Sequence, residues 1–184
     1  MKHELVIIQG SPRKNGNTAF ICEHVKNKLS ALFQITPVNL YEYKIKHCTG
    51  CRACMKGQPC PMKDDFPCLW NKLLQADAII QAVPVYWYGP PGMMKDFIDR
   101  THASYLAGKP LAGKQAGIIT VATAEGFECT ERILSCWIKQ YGAVIAGKLR
   151  IKACEADEVK NNPAIIAQID TFCSNLNQIN KIRD

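Results

Sequence analysis

Leu5-Val6-Ile7-Ile8-Gln9-Gly10-Ser11-Pro12-Arg13-Lys14-Asn15-Gly16-Asn17-Thr18 is the stretch that decides the architecture. Leu5 to Gln9 reads as a buried strand, and Gly10-Ser11-Pro12 ends it. From Asn17 the apolar residues Ile21, Val25, Leu29 and Leu32 recur at spacings of four, four and three, the period of a helix with one buried face. A strand, a polar turn and an amphipathic helix open a βαβ unit, and Ile35 to Leu40 supplies its second strand. The crossover between the two strands is expected to be right-handed.

The alternation continues outward from this unit. Phe66 to Gln75 reads as a helix, Ala78 to Val83 as a strand closed by Pro84, and Met93 to Tyr105 as a helix. Gln115 to Val121 is a strand, Glu128 to Tyr141 a helix and Val144 to Lys152 a strand. Pro163 to Ile179 is the last helix, with proline suited to its first turn. Strands as apolar as Ala78-Ile79-Ile80-Gln81-Ala82-Val83 are covered on both faces, so the pattern predicts a parallel sheet between helical layers. At 184 residues, with 47% apolar and 21% charged residues, the chain suits one domain over 1–184. No repeat, linker or low-complexity tract divides it.

The turn from Gly10 to Thr18 has the chemistry of an anion site. In a parallel sheet, ligands bind beyond the carboxyl ends of the strands, near the point where strand order reverses. Amides at a helix start are unpaired and attract phosphate. Ser11, Asn17 and Thr18 add short polar donors, and Arg13 or Lys14 adds charge. The loop lacks the Gly-Lys-Ser/Thr of a Walker A motif and the Gly-x-Gly-x-x-Gly of a dinucleotide fingerprint. A monophosphate suits it; a capped turn without ligand, with Asn17 or Thr18 as N-cap, is the plainer alternative.

Cys48-Thr49-Gly50-Cys51-Arg52-Ala53-Cys54-Met55-Lys56-Gly57-Gln58-Pro59-Cys60-Pro61 interrupts the alternation with four of the chain's ten cysteines in thirteen residues. A reducing cytosol disfavours a disulfide framework, so metal ligation or redox chemistry is the better reading of such a cluster. Two successive two-residue gaps let thiolates converge from a tight loop, and the closing Cys-Pro is shared with bacterial ferredoxin loops, whose last gap differs. Zinc is the competitor, although its structural sites usually use two separated knuckles. Cys22, Cys129, Cys136 and Cys173 fall on helices and are expected to be core residues, as are the remaining cysteines.

Pro84-Val85-Tyr86-Trp87-Tyr88-Gly89-Pro90-Pro91-Gly92 holds three aromatics beside three prolines and two glycines. A loop offering flat surfaces and close backbone to a planar ring explains this composition, with core or subunit-interface packing as the alternative, particularly for Tyr88. Thr123-Ala124-Glu125-Gly126 follows the fourth strand, as a third ligand loop or as an N-cap turn. Asp64 and Asp65 are adjacent, and solvation or helix N-terminal charge is their expected role. No Ser-His-Asp, Cys-His or paired-carboxylate arrangement is legible, and His47 and His102 are expected to be structural or at the surface.

Gly10-Ser11-Pro12-Arg13-x-x-Gly16-Asn17-Thr18 resembles the phosphate loop of the NADPH-dependent FMN reductase and iron-sulfur flavoprotein group of flavodoxin-like proteins. The similarity continues through Asp64-Asp65-Phe66, Ala76 to Ile80, Pro84-Val85-Tyr86, Gly92-Met93-Met94-Lys95-x-Phe97-x-Asp99-Arg100 and Leu111 to Lys114, and so covers roughly residues 4 to 126. The resemblance implies a flavodoxin-like three-layer sandwich with a five-stranded parallel sheet of order 2-1-3-4-5 and a cysteine-rich insertion at about 48–60. It implies FMN held by Ser11, Arg13, Asn17 and Thr18 at the phosphate and by Pro84, Val85, Tyr86, Trp87 and Gly89 along the isoalloxazine. Ala124, Glu125 and Gly126 would meet the pyrimidine edge. The spacing Cys-x2-Cys-x2-Cys-x5-Cys is similar to the compact motif of iron-sulfur flavoproteins, which makes Cys48, Cys51, Cys54 and Cys60 ligands of a [4Fe-4S] cluster.

Electron transfer is the function so implied, from a donor such as ferredoxin or NAD(P)H through cluster and FMN to an acceptor. A homodimer or homotetramer is expected on resemblance alone. A cluster-free NAD(P)H-dependent FMN or quinone reductase and a zinc-bearing, non-redox binding module are the rivals. The net charge of +7 is scattered over small groups of lysine and arginine, with no motif for nucleic acid. The one apolar run near the start, Leu5 to Ile8, is too short for a signal peptide or a membrane span, so the expected location is the cytoplasm.

Overall fold

A computed structural model describes residues 2–180, with no description of the side chains of 177–180. In chain order the elements are β1 His3–Gln9, α1 Asn17–Leu29, β2 Phe33–Asn39, α2 Phe66–Gln75, β3 Ala78–Pro84, α3 Gly92–Arg100, β4 Gln115–Ala122, α4 Phe127–Gln140, β5 Val144–Lys152 and α5 Pro163–Asn180. All four strand pairings are parallel, and the sheet runs β2-β1-β3-β4-β5, the flavodoxin-like order expected.

Alternation along the strands builds two cores. Val6 and Ile8 of β1, Ile79 and Val83 of β3, and Ile118 of β4 pack with Leu69, Trp70, Phe97, Leu134 and Trp137 of α2, α3 and α4. Leu5, Ile7, Ile80, Ala82, Ile119 and Val121 turn to the other face, against Ile21, Val25 and Leu29 of α1 and Ile165, Ile169 and Phe172 of α5. Burying each large apolar side chain contributes about 1.5–3 kcal/mol, and a one-residue slip would reverse every face. Register is therefore firmly set.

Local rules account for most element ends. Pro163 opens α5, and Asn162 Oδ1 accepts the amides of Ala164 at 3.0 Å and Ile165 at 3.3 Å. Three expectations are corrected. Gly16, not Asn17 or Thr18, takes the N-cap position of α1, with no side-chain cap. The helix ends at Leu29, so Leu32 falls beyond it and is 45% exposed. The helix expected to reach Tyr105 stops at Arg100 and continues as 3-10 turns over Thr101–Ala107.

That corner is pinned to α4. Trp137 Nε1 donates to Thr101 Oγ1 at 2.9 Å and the Tyr141 hydroxyl donates to the Thr101 carbonyl at 2.6 Å. Trp137 and Tyr141 also meet the ring of Trp70 at 6.4 and 5.5 Å between centroids. The end of α3 is thus held by buried polar and aromatic contacts together. No described helix is long and apolar enough to cross a membrane.

One buried carboxylate ties α4 to the sheet edge. The Glu131 side chain is 4% exposed, and Arg150 of β5 donates to it through Nε at 2.6 Å and Nη2 at 3.1 Å. Burial opposes its ionisation, but Arg150 and Lys148 outweigh burial and hold the carboxyl below the usual range. A depressed carboxylate contributes stability that is present above the unfolded-state pKa and lost as pH falls through the folded-state value. Glu131→Gln is expected to cost about 2 kcal/mol at pH 7. In thermal melts from pH 7 to 3, the gap from the unsubstituted protein should narrow as the solution is acidified.

Candidate functional site

Crossing from β1 to β3 brings two loops together. Gly10 N–H donates to the Ala82 carbonyl at 2.8 Å, and a Cβ on Gly10 would lie 2.9 Å from Val83 Cγ1 and 3.3 Å from Met94 Cβ. A side chain there would push the β1–α1 loop off β3 and α3. Ser11 is buried, and its Oγ accepts the Arg13 amide at 3.1 Å, turning the loop back on itself. The first turn of α1 carries neither a capping side chain nor an acid, so its amide end stays electropositive.

Ser11, Arg13, Asn17 and Thr18 form one wall of a cleft whose other wall is Pro84, Val85 and Tyr86. The cleft measures about 100 Å³. That is below the roughly 300 Å³ of a whole ligand pocket, so it has room for one end of such a ligand, whose remainder would lie on the open rim. Asn17 is partly committed elsewhere: its Nδ2 donates to the Glu155 carbonyl at 2.9 Å, and its Oδ1 accepts the Val159 amide at 3.4 Å. The segment after β5 is thereby drawn onto the cleft. Thr123 of the candidate third ligand loop also lines it, as does Cys154, which sequence reasoning missed. Cys154 follows the carboxyl end of β5, which is the signal that could have found it.

The rim is an aromatic turn. Tyr86 N–H donates to the Gly89 carbonyl at 2.8 Å and Gly89 N–H to the Tyr86 carbonyl at 3.0 Å. Between them Trp87 (φ 48°) and Tyr88 (φ 60°) are both left-handed, the arrangement of a type I′ turn. Neither is glycine or asparagine, so the turn stores about 1–2 kcal/mol per residue. It holds Trp87 98% exposed, with Tyr86 and Tyr88 also exposed. Core packing, one alternative raised for Tyr88, does not hold: the ring is half exposed and lies against the Glu125–Gly126 loop.

Thr123 to Gly126 closes the site from the side of β4. The Tyr88 hydroxyl donates to the Glu125 carboxylate, a bond that raises the pKa of the phenol. Gly126 is the N-cap of α4 with φ 91°, and a Cβ there would sit 2.8 Å from Val85 Cγ1. Trp87, Gly89, Ala124, Glu125 and Gly126 lie outside the cleft wall, on or behind its rim. The two loops meet directly at this glycine.

The cysteine segment packs beyond the far end of α3. Gly50, Arg52 and Gly57 have φ of 66°, 61° and 73°, and each reverses the chain between cysteines. Cys48 and Cys51 are exposed, Cys54 and Cys60 half-buried. All four line one cavity of about 530 Å³ that Arg100 and His102 also line. Among the described residues, no three His, Cys, Asp or Glu side chains are placed to grip one metal ion. Four soft thiol donors around a shared cavity, with a cation on its wall, suit by chemistry an anionic iron-sulfur cluster.

Arg100, to which sequence reasoning gave no role, stands on the wall of this cavity. It is 2% exposed, paired with an Asp64 carboxylate whose side chain is 1% exposed. Its Nη1 donates to the Lys46 carbonyl at 3.1 Å and its Nη2 to Cys60 Sγ at 3.7 Å. Burial opposes the Asp64 charge, but Arg100 and the amides of Lys46 and Phe66 hold its carboxyl below the usual range. Asp64 is therefore no solvated charge; it does face the start of α2, accepting the Phe66 amide at 3.1 Å, and it is paired with Arg100 as well. Asp65, by contrast, occupies the N-cap position of α2 and accepts the Lys44 amide at 2.7 Å.

The expectation of core cysteines is corrected for four of the six outside the segment. Cys68, Cys129, Cys136 and Cys154 are exposed. Cys22 and Cys173 pack with the α1–α5 core, and burial pushes their thiols up to about 12 and about 11. His47 is at the surface against Asp96.

Gly126→Ala places a Cβ at a left-handed position and against Val85. It should cost about 2 kcal/mol of stability. Urea unfolding checks this, and an unchanged midpoint would show that the two loops do not bear on each other.

Residues 3–151 match the family described as NADPH-dependent FMN reductase. Two relatives are named iron-sulfur flavoprotein, both from Archaeoglobus fulgidus. The chain is 34% identical to one over 125 residues, covering 67% of this chain and 61% of the relative. It is 36% identical to the other over 120 residues, covering 65% and 54%. The chain thus spans somewhat over half the length of these relatives. Among solved structures, an NADH:FMN oxidoreductase named EMOB, in its apo form, superposes with a TM-score of 0.71 at 18% identity, covering 94% of this chain and 87% of that one. At that identity the likeness speaks for the fold.

Proposed function

The chain belongs to the NADPH-dependent FMN reductase family, and from that premise we propose that it is an FMN-dependent redox protein of iron-sulfur flavoprotein type. Electrons would pass between a [4Fe-4S] cluster on Cys48, Cys51, Cys54 and Cys60 and an FMN at the β1–β3 crevice. The observation that carries the flavin half is the single cleft joining Ser11, Arg13, Asn17 and Thr18 to Pro84, Val85 and Tyr86. The cavity shared by the four cysteines supports the cluster half.

The residues divide the work as follows. Amides at the start of α1 and the Arg13 guanidinium would neutralise a phosphate in the cleft. Pro84 to Gly89, held rigid by the paired Tyr86–Gly89 bonds and by Val85 N–H on the Val121 carbonyl at 2.7 Å, would orient a planar ring on the rim. Tyr88 keeps the Glu125 carboxylate tethered beside it. Bound flavin supplies the hydride and single-electron chemistry that no side chain here offers. The donor would be ferredoxin or NAD(P)H, and a homodimer or homotetramer covering the exposed aromatic turn fits this reading. A cytoplasmic location goes with it.

Anaerobic purification followed by an absorption spectrum and iron and sulfide assays tests both halves. Flavin bands with broad iron-sulfur absorbance are expected, the latter lost in Cys51→Ser. Flavin without iron would leave a cluster-free NAD(P)H-dependent reductase, and colourless protein that takes up no FMN would end the proposal. Arg13→Ala should weaken FMN binding about tenfold, about 1.4 kcal/mol, more at low than at high salt, as followed by flavin fluorescence quenching.

A further inference from the structure

We propose that Arg100 is a positioning residue that fixes Cys60 and raises the reduction potential of the cluster held by the cysteine segment, with Asp64 as its anchor. The inference rests on the cluster reading above. It starts from a placement that packing alone does not explain. Arg100 lies on the buried stripe of α3 with Met94 and Phe97, where an apolar residue would serve packing better. Its guanidinium reaches three separate stretches of chain: the Lys46 carbonyl before the first cysteine, Cys60 Sγ at the last, and the Asp64 carboxylate beyond it. One side chain brackets the segment at both ends. Its Nε is buried with no hydrogen-bond partner, so the group still has donor capacity to spare.

The sulfur contact gives this cation a redox consequence. A cluster gains negative charge on reduction, and N–H donors and positive charge near its thiolates favour the reduced state. Asp64 acts in the opposite sense, since its carboxylate offsets part of the field that Arg100 exerts at Cys60. A purely structural ion pair would hold the loop without moving the potential. The two partners should therefore shift the potential in opposite directions.

The test uses the full chain, reconstituted anaerobically, with dye-mediated titration of the cluster followed by electron paramagnetic resonance. Arg100→Lys keeps a cation opposite Asp64 but loses the fork that reaches the sulfur. The equilibrium constant for cluster reduction is expected to fall about tenfold, about 59 mV for a one-electron couple. Asp64→Asn keeps the shape and leaves the guanidinium uncompensated, and should raise the potential. FMN affinity and the thermal midpoint of the iron-free protein report whether each variant has folded. If Arg100→Lys does not fold, Asp64→Asn decides alone. Iron-loaded variants with the unsubstituted potential, or shifts of the same sign, would overturn the role of Arg100 and leave the cluster standing. Unsubstituted protein that takes up no iron or sulfide would overturn both.

Discussion

Strand order reverses at β1, and the rest of the molecule depends on that reversal. β1 pairs in parallel with β2 on one side and β3 on the other, so the chain leaves the two central strands in opposite directions and a crevice opens between their loops. Gly10 keeps the crevice narrow, because the backbone presses on Val83 and Met94 with no room for a side chain. The cleft is in this sense a product of topology. Its polar residues supply chemistry, but apolar faces on both sides of the sheet put them opposite the aromatic loop.

The cysteine segment is held by other means. Between Leu40 and Phe66 no described residue is buried in the apolar core, and only Tyr43 and Ile45, ahead of the first cysteine, pack against it, so hydrophobic burial does little to fix the cysteines themselves. A buried ion pair with hydrogen bonds to backbone takes its place. Taking two charges out of water costs several kcal/mol per ion before pairing offsets it, and such a pair is a poor way to gain stability. It is an effective way to give a polar loop one geometry, because a guanidinium fork accepts few arrangements of partners.

Much of this was legible in the sequence. The inner strands β1, β3 and β4 are largely apolar and the helices between the strands amphipathic, which is enough to specify a parallel sheet in three layers. The polar loop after β1 and the aromatic loop stand out by composition, and the cysteines by spacing. What escaped depends on contacts between distant residues. Asn17 looks like a cap, but it is taken up by Glu155 and Val159 far along the chain. Asp64 looks solvated until Arg100 is brought to it. Trp87 and Tyr88 adopt left-handed conformations that their residue types do not announce. Cys129 and Cys136 share a face of α4, but it is the one opposite Leu134 and Trp137.

α3 begins just past the aromatic turn, runs for nine residues and ends in Arg100. At 1.5 Å per residue it is a strut of about 13 Å, and each residue also advances the helix by about 100°. Spacing and phase between the two sites are therefore set by a single element. An extra residue within it would swing the guanidinium away from Asp64 toward solvent while leaving the aromatic turn in place. Lengthening by whole turns alone would keep both ends in phase, so the helix works as a gauge block whose length is fixed even where its side chains are free to vary.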